Sequence, residues 1–140
     1  MQAFGLHLTM DCYNGNAQKL ADENEVKRFL NELPDLINMH KISEPFIIYY
    51  PSPDKPEDEG ISGVILIAES HISIHTFPKK QYASVDIFSC KEFDVPFTIN
   101  YVLNFFEFSN AETNVFDRGL EFPKNLDMVS KIIDKQRKEV

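Results

Sequence analysis

The stretch "GVILIAESHISIHTFPKKQYASVDIFSC", residues 63–90, decides how the chain is read. It opens on a continuous apolar run, 63–68, expected of a central strand covered on both faces. "HISIH" then alternates, so that His71, Ser73 and His75 share one face of a regular strand. "FPKKQ" reads as a turn, and "YASVDIFS" alternates again. Two or three adjacent strands are therefore predicted, yet they also carry Glu69, Ser70, His71, His75, Asp86 and Cys90. A strand pair built only for packing would avoid such groups.

Working outward, "AFGLHLTM" predicts a first strand, closed by the turn-rich "DCYNGN". Residues 22–39 predict a helix, with Asp22 as cap and Glu25 as its capping-box partner. Val26, Phe29, Leu30, Leu33 and Ile37 form one apolar stripe at spacings of three and four. Pro34 predicts a kink or break near Leu33. "PFIIYY" (45–50) is a second strand. "PSPDKPEDEG" (51–60), with three prolines, four acids and a glycine, is an exposed loop. Residues 94–108 predict a second long helix, with Asp94 as cap and Pro96 in its first turn. "NVFDRGLEF" (114–122) returns to strand and turn, and the charged tail 124–140 reads as a helical extension. The order β-α-β-β, β-β-α-β predicts an α+β fold: a two-layer sandwich whose antiparallel sheet carries its helices on one face. The other face is open to a second subunit.

Composition bounds the function. At 140 residues the chain is one domain, with 43% hydrophobic and 26% charged residues. Its 14 Lys and Arg against 22 Asp and Glu leave a formal charge of −8. That balance repels nucleic-acid phosphates and anionic membrane surfaces, so neither is an expected partner, while a cationic small molecule is attracted. Two cysteines, Cys12 and Cys90, without a CxxC pair fit a reducing compartment better than a disulfide framework. "MQAFGLHLTM" lacks a basic leader region and no apolar run approaches a membrane span, so a cytoplasmic protein is expected.

Three readings of the polar groups stand side by side. In the first, His71, His75 and Cys90 are core or rim residues with satisfied hydrogen bonds. In the second they hold a metal. The two imidazoles of "HISIH" are spaced as on zinc-binding helices, but Ile72 and Ile74 make this a strand, and nothing argues for a third ligand; no metal is expected. In the third, Ser70 is a nucleophile, His75 a base and Cys90 a second acid. In an unbroken strand Ser70 and His75 point to opposite faces, so this reading requires a bend at Glu69–Ser70. No GxSxG elbow supports an ordinary serine hydrolase.

The block "GISGVILIAESHISIHTFP…YASVDIFSC", with "GLHLTMD" before it and "VFDRGLEFP" after it, resembles the short bacterial and archaeal S-adenosylmethionine decarboxylases. These are pyruvoyl-dependent enzymes of spermidine synthesis. The likeness spans 1–123 as a single domain and fades in 124–140. It implies that the chain is a proenzyme cutting itself between Glu69 and Ser70, into a β chain 1–69 and an α chain 70–140. Ser70 would become a covalent pyruvoyl group that forms a Schiff base with S-adenosylmethionine; pyridoxal phosphate is not needed. His75 matches the proton acceptor of processing, Ser62 the hydroxyl that assists it, and Cys90 the proton donor of decarboxylation. Phe77 takes the aromatic position of the "HTFP" motif, placed to contact substrate or to fill the core. A homodimer sharing active-site residues across its boundary is implied as well. Two departures, Lys79–Lys80 after "FP" and the long acidic loop before Ser62, lie at the expected substrate edge. They keep open arginine or ornithine as substrate. A non-processing regulatory paralogue is the remaining alternative, although it has no need to keep Ser62, Glu69, Ser70, His75 and Cys90 together.

Overall fold

The computed structural model describes residues 5–119. The expected tail helix, and the end of the 114–122 segment, lie outside these residues. Six strands form one antiparallel sheet: β1 (Gly5–Tyr13), β2 (Phe46–Tyr50), β3 (Gly60–Ile67), β4 (Ser70–Phe77), β5 (Tyr82–Ser89) and β6 (Asn110–Arg118). Their spatial order is β2-β3-β4-β5-β1-β6. The helices are α1 (Ala17–Leu20), α2 (Glu23–Leu36) and α3 (Val95–Phe105). The two-layer α+β sandwich expected from the element order is what forms.

Alternation decides the layers. Leu8, Met10, Cys12, Ile65, Ile67, Ile72, Ile74, Ala83, Val85 and Ile87 are buried on one face of the sheet. They share one cluster with Val26, Phe29, Leu30 and Leu33 of α2 and with Val102 and Phe105 of α3. Burial of this apolar area is the main term holding the layers together. Two polar contacts fix their relative placement. Thr76 Oγ1 accepts from the Ile61 amide at 3.0 Å and donates to the Leu20 carbonyl at 2.8 Å. Gly60 allows β3 to enter close to β4, because a Cβ there would lie 1.7 Å from the Thr76 carbonyl oxygen.

Several expectations need correction. β3 is covered on one face only: Leu66 is 49% exposed, so the 63–68 run does not mark a strand buried on both sides. β1 continues through Cys12 and Tyr13, because β6 and β5 pair along its length and absorb what looked like turn residues. Asp22 does cap α2, accepting from the Asn24 and Glu25 amides, but the Glu25 carboxylate turns outward to Arg28 at 2.7 Å. No reciprocal capping box forms. Pro34 does not break α2 at Leu33; the helix runs to Leu36. Its carbonyl lies in the last turn, where it accepts from the Met39 amide at 2.8 Å. The short helix α1 was not expected; Asn16 caps it through Lys19.

Candidate active site

β3 and β4 are joined by Ala68 and Glu69 alone, with Ile67 paired to Ser70. The Glu69–Ser70 bond therefore sits at the tip of a hairpin, half-buried. None of residues 68–70 has a positive φ, so backbone strain does not hold the tip. Hydrogen bonds do. The Ala68 amide donates to the His40 carbonyl at 2.7 Å, and the Cys90 amide donates to the Glu69 carbonyl oxygen at 2.9 Å. The Glu69 carboxylate accepts from the His40 amide at 3.0 Å and meets His40 Nδ1 at 2.7 Å. These contacts hold the Glu69 carboxyl below its usual range, the His40 amide contributing most.

Cys90 reaches the tip because β4 and β5 pair antiparallel with Ser70 opposite Ser89. The turn at 78–80 thus brings a residue twenty positions away back beside Ser70, as the strand lengths allow. Gly5 shapes the same corner. A Cβ on it would lie 2.2 Å from the Ser89 carbonyl oxygen and 2.8 Å from the Cys90 Cα. Cys90 is exposed, whereas Cys12 is buried and its thiol is pushed up to about 12 by desolvation.

Ser62 and His75 form a second centre. Register pairs them across β3 and β4, and Ser62 Oγ lies 2.8 Å from His75 Nδ1. Both line a pocket of about 130 Å³ on the helix-free face, together with Phe46, Ile48, Val64 and Ser73. Ser70 is not part of it. The chain does turn at Ala68–Glu69, but β4 is unbroken from Ser70 to Phe77, so that turn does not bring Ser70 to His75. Five residues of strand put the two about 17 Å apart, on opposite faces. Within one chain His75 does not reach Ser70.

Ser70 Oγ instead meets His71 Nδ1 at 3.1 Å. His71 stands in a row across the open face with Leu66, Phe88, His7 and Phe116. Phe77 packs its ring against Tyr82 at 5.6 Å, at the far end of β4 from Ser70. The two departures from the family pattern contact each other: Lys80 pairs with Asp58, and Lys79 Nζ donates to the Pro56 carbonyl at 3.3 Å. The basic turn is thus the partner of the acidic loop. Spacing gave no sign of His40, which is 29 residues from Glu69, and adjacency alone hid the Ser70–His71 contact.

Comparison with known proteins identifies the family. A family model described as S-adenosylmethionine decarboxylase matches residues 6–119. An S-adenosylmethionine decarboxylase proenzyme of Hydrogenobaculum sp. (strain Y04AAS1) is 33% identical over 120 residues, covering 85% of this chain and 84% of its own. A proenzyme of the same name from Thermodesulfovibrio yellowstonii is 34% identical over 133 residues, covering 94% and 93%. The crystal structure of the adenosylmethionine decarboxylase from Aquifex aeolicus VF5 matches with a TM-score of 0.72 at 29% identity, over 89% of this chain and 99% of that one. Matched along the whole sheet and through the Glu69–Ser70 hairpin, the chain belongs to the S-adenosylmethionine decarboxylase family.

Proposed function

We propose that this chain decarboxylates S-adenosylmethionine after cutting itself at Glu69–Ser70 into chains 1–69 and 70–140. The observation that carries the reading is the Cys90 amide on the Glu69 carbonyl oxygen at 2.9 Å. When the Ser70 hydroxyl attacks that carbonyl, the oxygen gains a full charge, and a fixed backbone donor stabilises it more than it stabilises the ground-state amide. Collapse of the adduct breaks the Glu69–Ser70 C–N bond and leaves an ester. A base then removes the Ser70 Cα proton, the Glu69 carboxylate departs from Cβ, and hydrolysis of the resulting dehydroalanine releases ammonia. The product is a pyruvoyl group on residue 70.

The residues around the hairpin fit that group. Ser70 supplies its carbons, Glu69 ends the partner chain under the His40 clamp, and the exposed Cys90 thiol follows Ser89, the residue paired with Ser70. Such a group would supply an electron sink for the pair released with carbon dioxide, the part played by a cofactor in other decarboxylases. Cys90 then holds the proton for the substrate α-carbon.

His75, polarised by Ser62, is the base for the Cα proton, and it acts across a subunit boundary. About 17 Å of strand separates it from Ser70 in one chain. The helix-free face that bears it exposes Phe46 at 62%, Ile48 at 49% and Phe116 at 51%, a surface suited to a second copy. Among the described residues no helix is long and apolar enough to cross a membrane.

Release of labelled carbon dioxide from carboxyl-labelled S-adenosylmethionine, set beside arginine and ornithine, tests the substrate. Release from either amino acid alone overturns it. Co-expression of His75→Ala with Ser70→Ala tests the boundary: the His75→Ala chain is cleaved by the histidine of its Ser70→Ala partner. If it stays intact in the mixed assembly, sharing between copies is wrong.

A further inference from the structure

Self-cleavage moves two protons at different moments, and the chain holds two histidines on one strand about 14 Å of strand apart. His75 is bound to Ser62 and remote from Ser70. His71 Nδ1 lies 3.1 Å from Ser70 Oγ. We propose that His71 is the base for the first step: it takes the Ser70 hydroxyl proton during attack on Glu69 and returns it to the departing amine. The proposal rests on the self-cleavage reading above.

The step balances without any added reagent. In the Nε2–H tautomer the Ser70 O–H donates to His71 Nδ1. The proton passes to Nδ1 as Oγ bonds to the Glu69 carbonyl carbon, closing a five-membered ring with the Ser70 nitrogen, Cα and Cβ. The carbonyl π pair moves onto the oxygen, where the Cys90 amide donates. The pair then re-forms the carbonyl, the C–N bond breaks, and the nitrogen takes the proton from His71. The net change is an isomerisation from amide to ester.

The surroundings keep His71 available as a base. Its ring packs against Phe88 at 5.9 Å, and His7 meets the same phenyl from the next strand at 5.8 Å. Arg118 lies over Phe88 at 4.0 Å, with a guanidinium nitrogen 3.5 Å from His7 Nδ1. Partial burial lowers the His71 pKa first, and the charges of His7 and Arg118 lower it further. Asp86 acts in the opposite sense, but it is engaged by His7 Nε2 at 3.0 Å. A general base needs its lone pair free, and a depressed pKa keeps it free at neutral pH. The cluster of His7, Asp86, Phe88 and Arg118 thus has a use that packing alone does not require.

Hydroxylamine, which cuts esters and spares amides, separates the two histidines. Chains made by cell-free translation are followed by intact mass. Wild type yields both fragments, and His75→Ala stays full-length but is cut by hydroxylamine. His71→Ala stays full-length and resists hydroxylamine, its cleavage slowed at least about a hundredfold, the lower range for a lost general base. Added imidazole restores cleavage. His71→Gln, which keeps a hydrogen-bonding group without a basic lone pair, behaves as His71→Ala does. A second measurement does not depend on how these variants fold. In the His75→Ala background, ester appearance falls on the acid side with a midpoint below the ordinary 6.5, and Arg118→Gln moves that midpoint upward. A His71→Gln chain that cleaves at the wild-type rate, an ester that accumulates in His71→Ala, or a pH-independent rate overturns the assignment. Wild type that never cleaves overturns self-cleavage itself, a result separate from all of these.

Discussion

Cys90 touches Glu69 through its main chain: the Cys90 amide donates to the Glu69 carbonyl oxygen at 2.9 Å, while its exposed thiol makes no hydrogen bond among the described residues. One residue thereby offers two separable functions. Cys90→Ala keeps the amide, so it cleaves normally, then decarboxylates poorly and misplaces the proton. Cys90→Pro lacks the amide hydrogen, and its cleavage slows by roughly 10²–10³, the usual cost of one oxyanion donor. Intact mass on the two variants distinguishes them, and an uncleaved Cys90→Ala chain sinks this division.

The clamp between Glu69 and His40 should persist after the chain is cut. Two donors hold one carboxylate, and the backbone amide is the larger influence. His40→Ala removes only the imidazole, so cleavage slows severalfold at most; Glu69→Ala removes both contacts and slows it more. Because the Glu69 carboxyl is held low, its contribution to stability is complete above the ordinary 4.5 and is lost as pH falls through the lowered value. Melting temperatures of wild type and Glu69→Gln, measured from neutral pH into acid, should converge. Curves that stay parallel would show that the carboxylate charge contributes nothing.

The two thiols should differ sharply toward an alkylating agent. Cys12 is fully buried with its pKa at about 12, while Cys90 is exposed. One thiol per chain reacts quickly in the native state, and the second reacts only on unfolding. Peptide mapping places the first label on Cys90, and Cys90→Ala removes the fast phase. Rapid labelling of Cys12 would contradict its burial.

Phe29 anchors α2 to α3 and the sheet. It is fully buried, with Phe105 at 5.4 Å, Phe106 at 5.2 Å and Tyr101 at 6.0 Å between ring centres. Phe29→Ala should cost about 3–5 kcal/mol, from lost transfer energy and the cavity left behind. Denaturant unfolding of the cleavage-blocked Ser70→Ala chain measures this without the complication of two fragments. A loss under about 1 kcal/mol would mean that the aromatic cluster repacks around the gap.

The local pattern of the chain determined its elements and layers. Period-two alternation in 71–75 and 82–89 fixed which side chains of β4 and β5 face the helices, because a pleated strand offers only two faces. The stripe from Val26 to Leu33 and the capping residues Asp22 and Asp94 placed α2 and α3, because both signals act within a turn or two. The block around Glu69–Ser70 also pointed to the family, with Ser62, Ser70, His75 and Cys90 at its characteristic spacings. What spacing does not carry is the meeting of residues across strands. Register alone joined Ser62 to His75 and brought the Cys90 amide to the Glu69 carbonyl, and an unbroken β4 held His75 away from Ser70. The same register set His71 between Ser70 and the row of Phe88, His7 and Arg118. Hydrophobic periodicity is written along the chain and survives in a one-dimensional reading. Hydrogen-bond distances and the local electrostatics of a site arise only when distant segments share a sheet, so tertiary structure decided them.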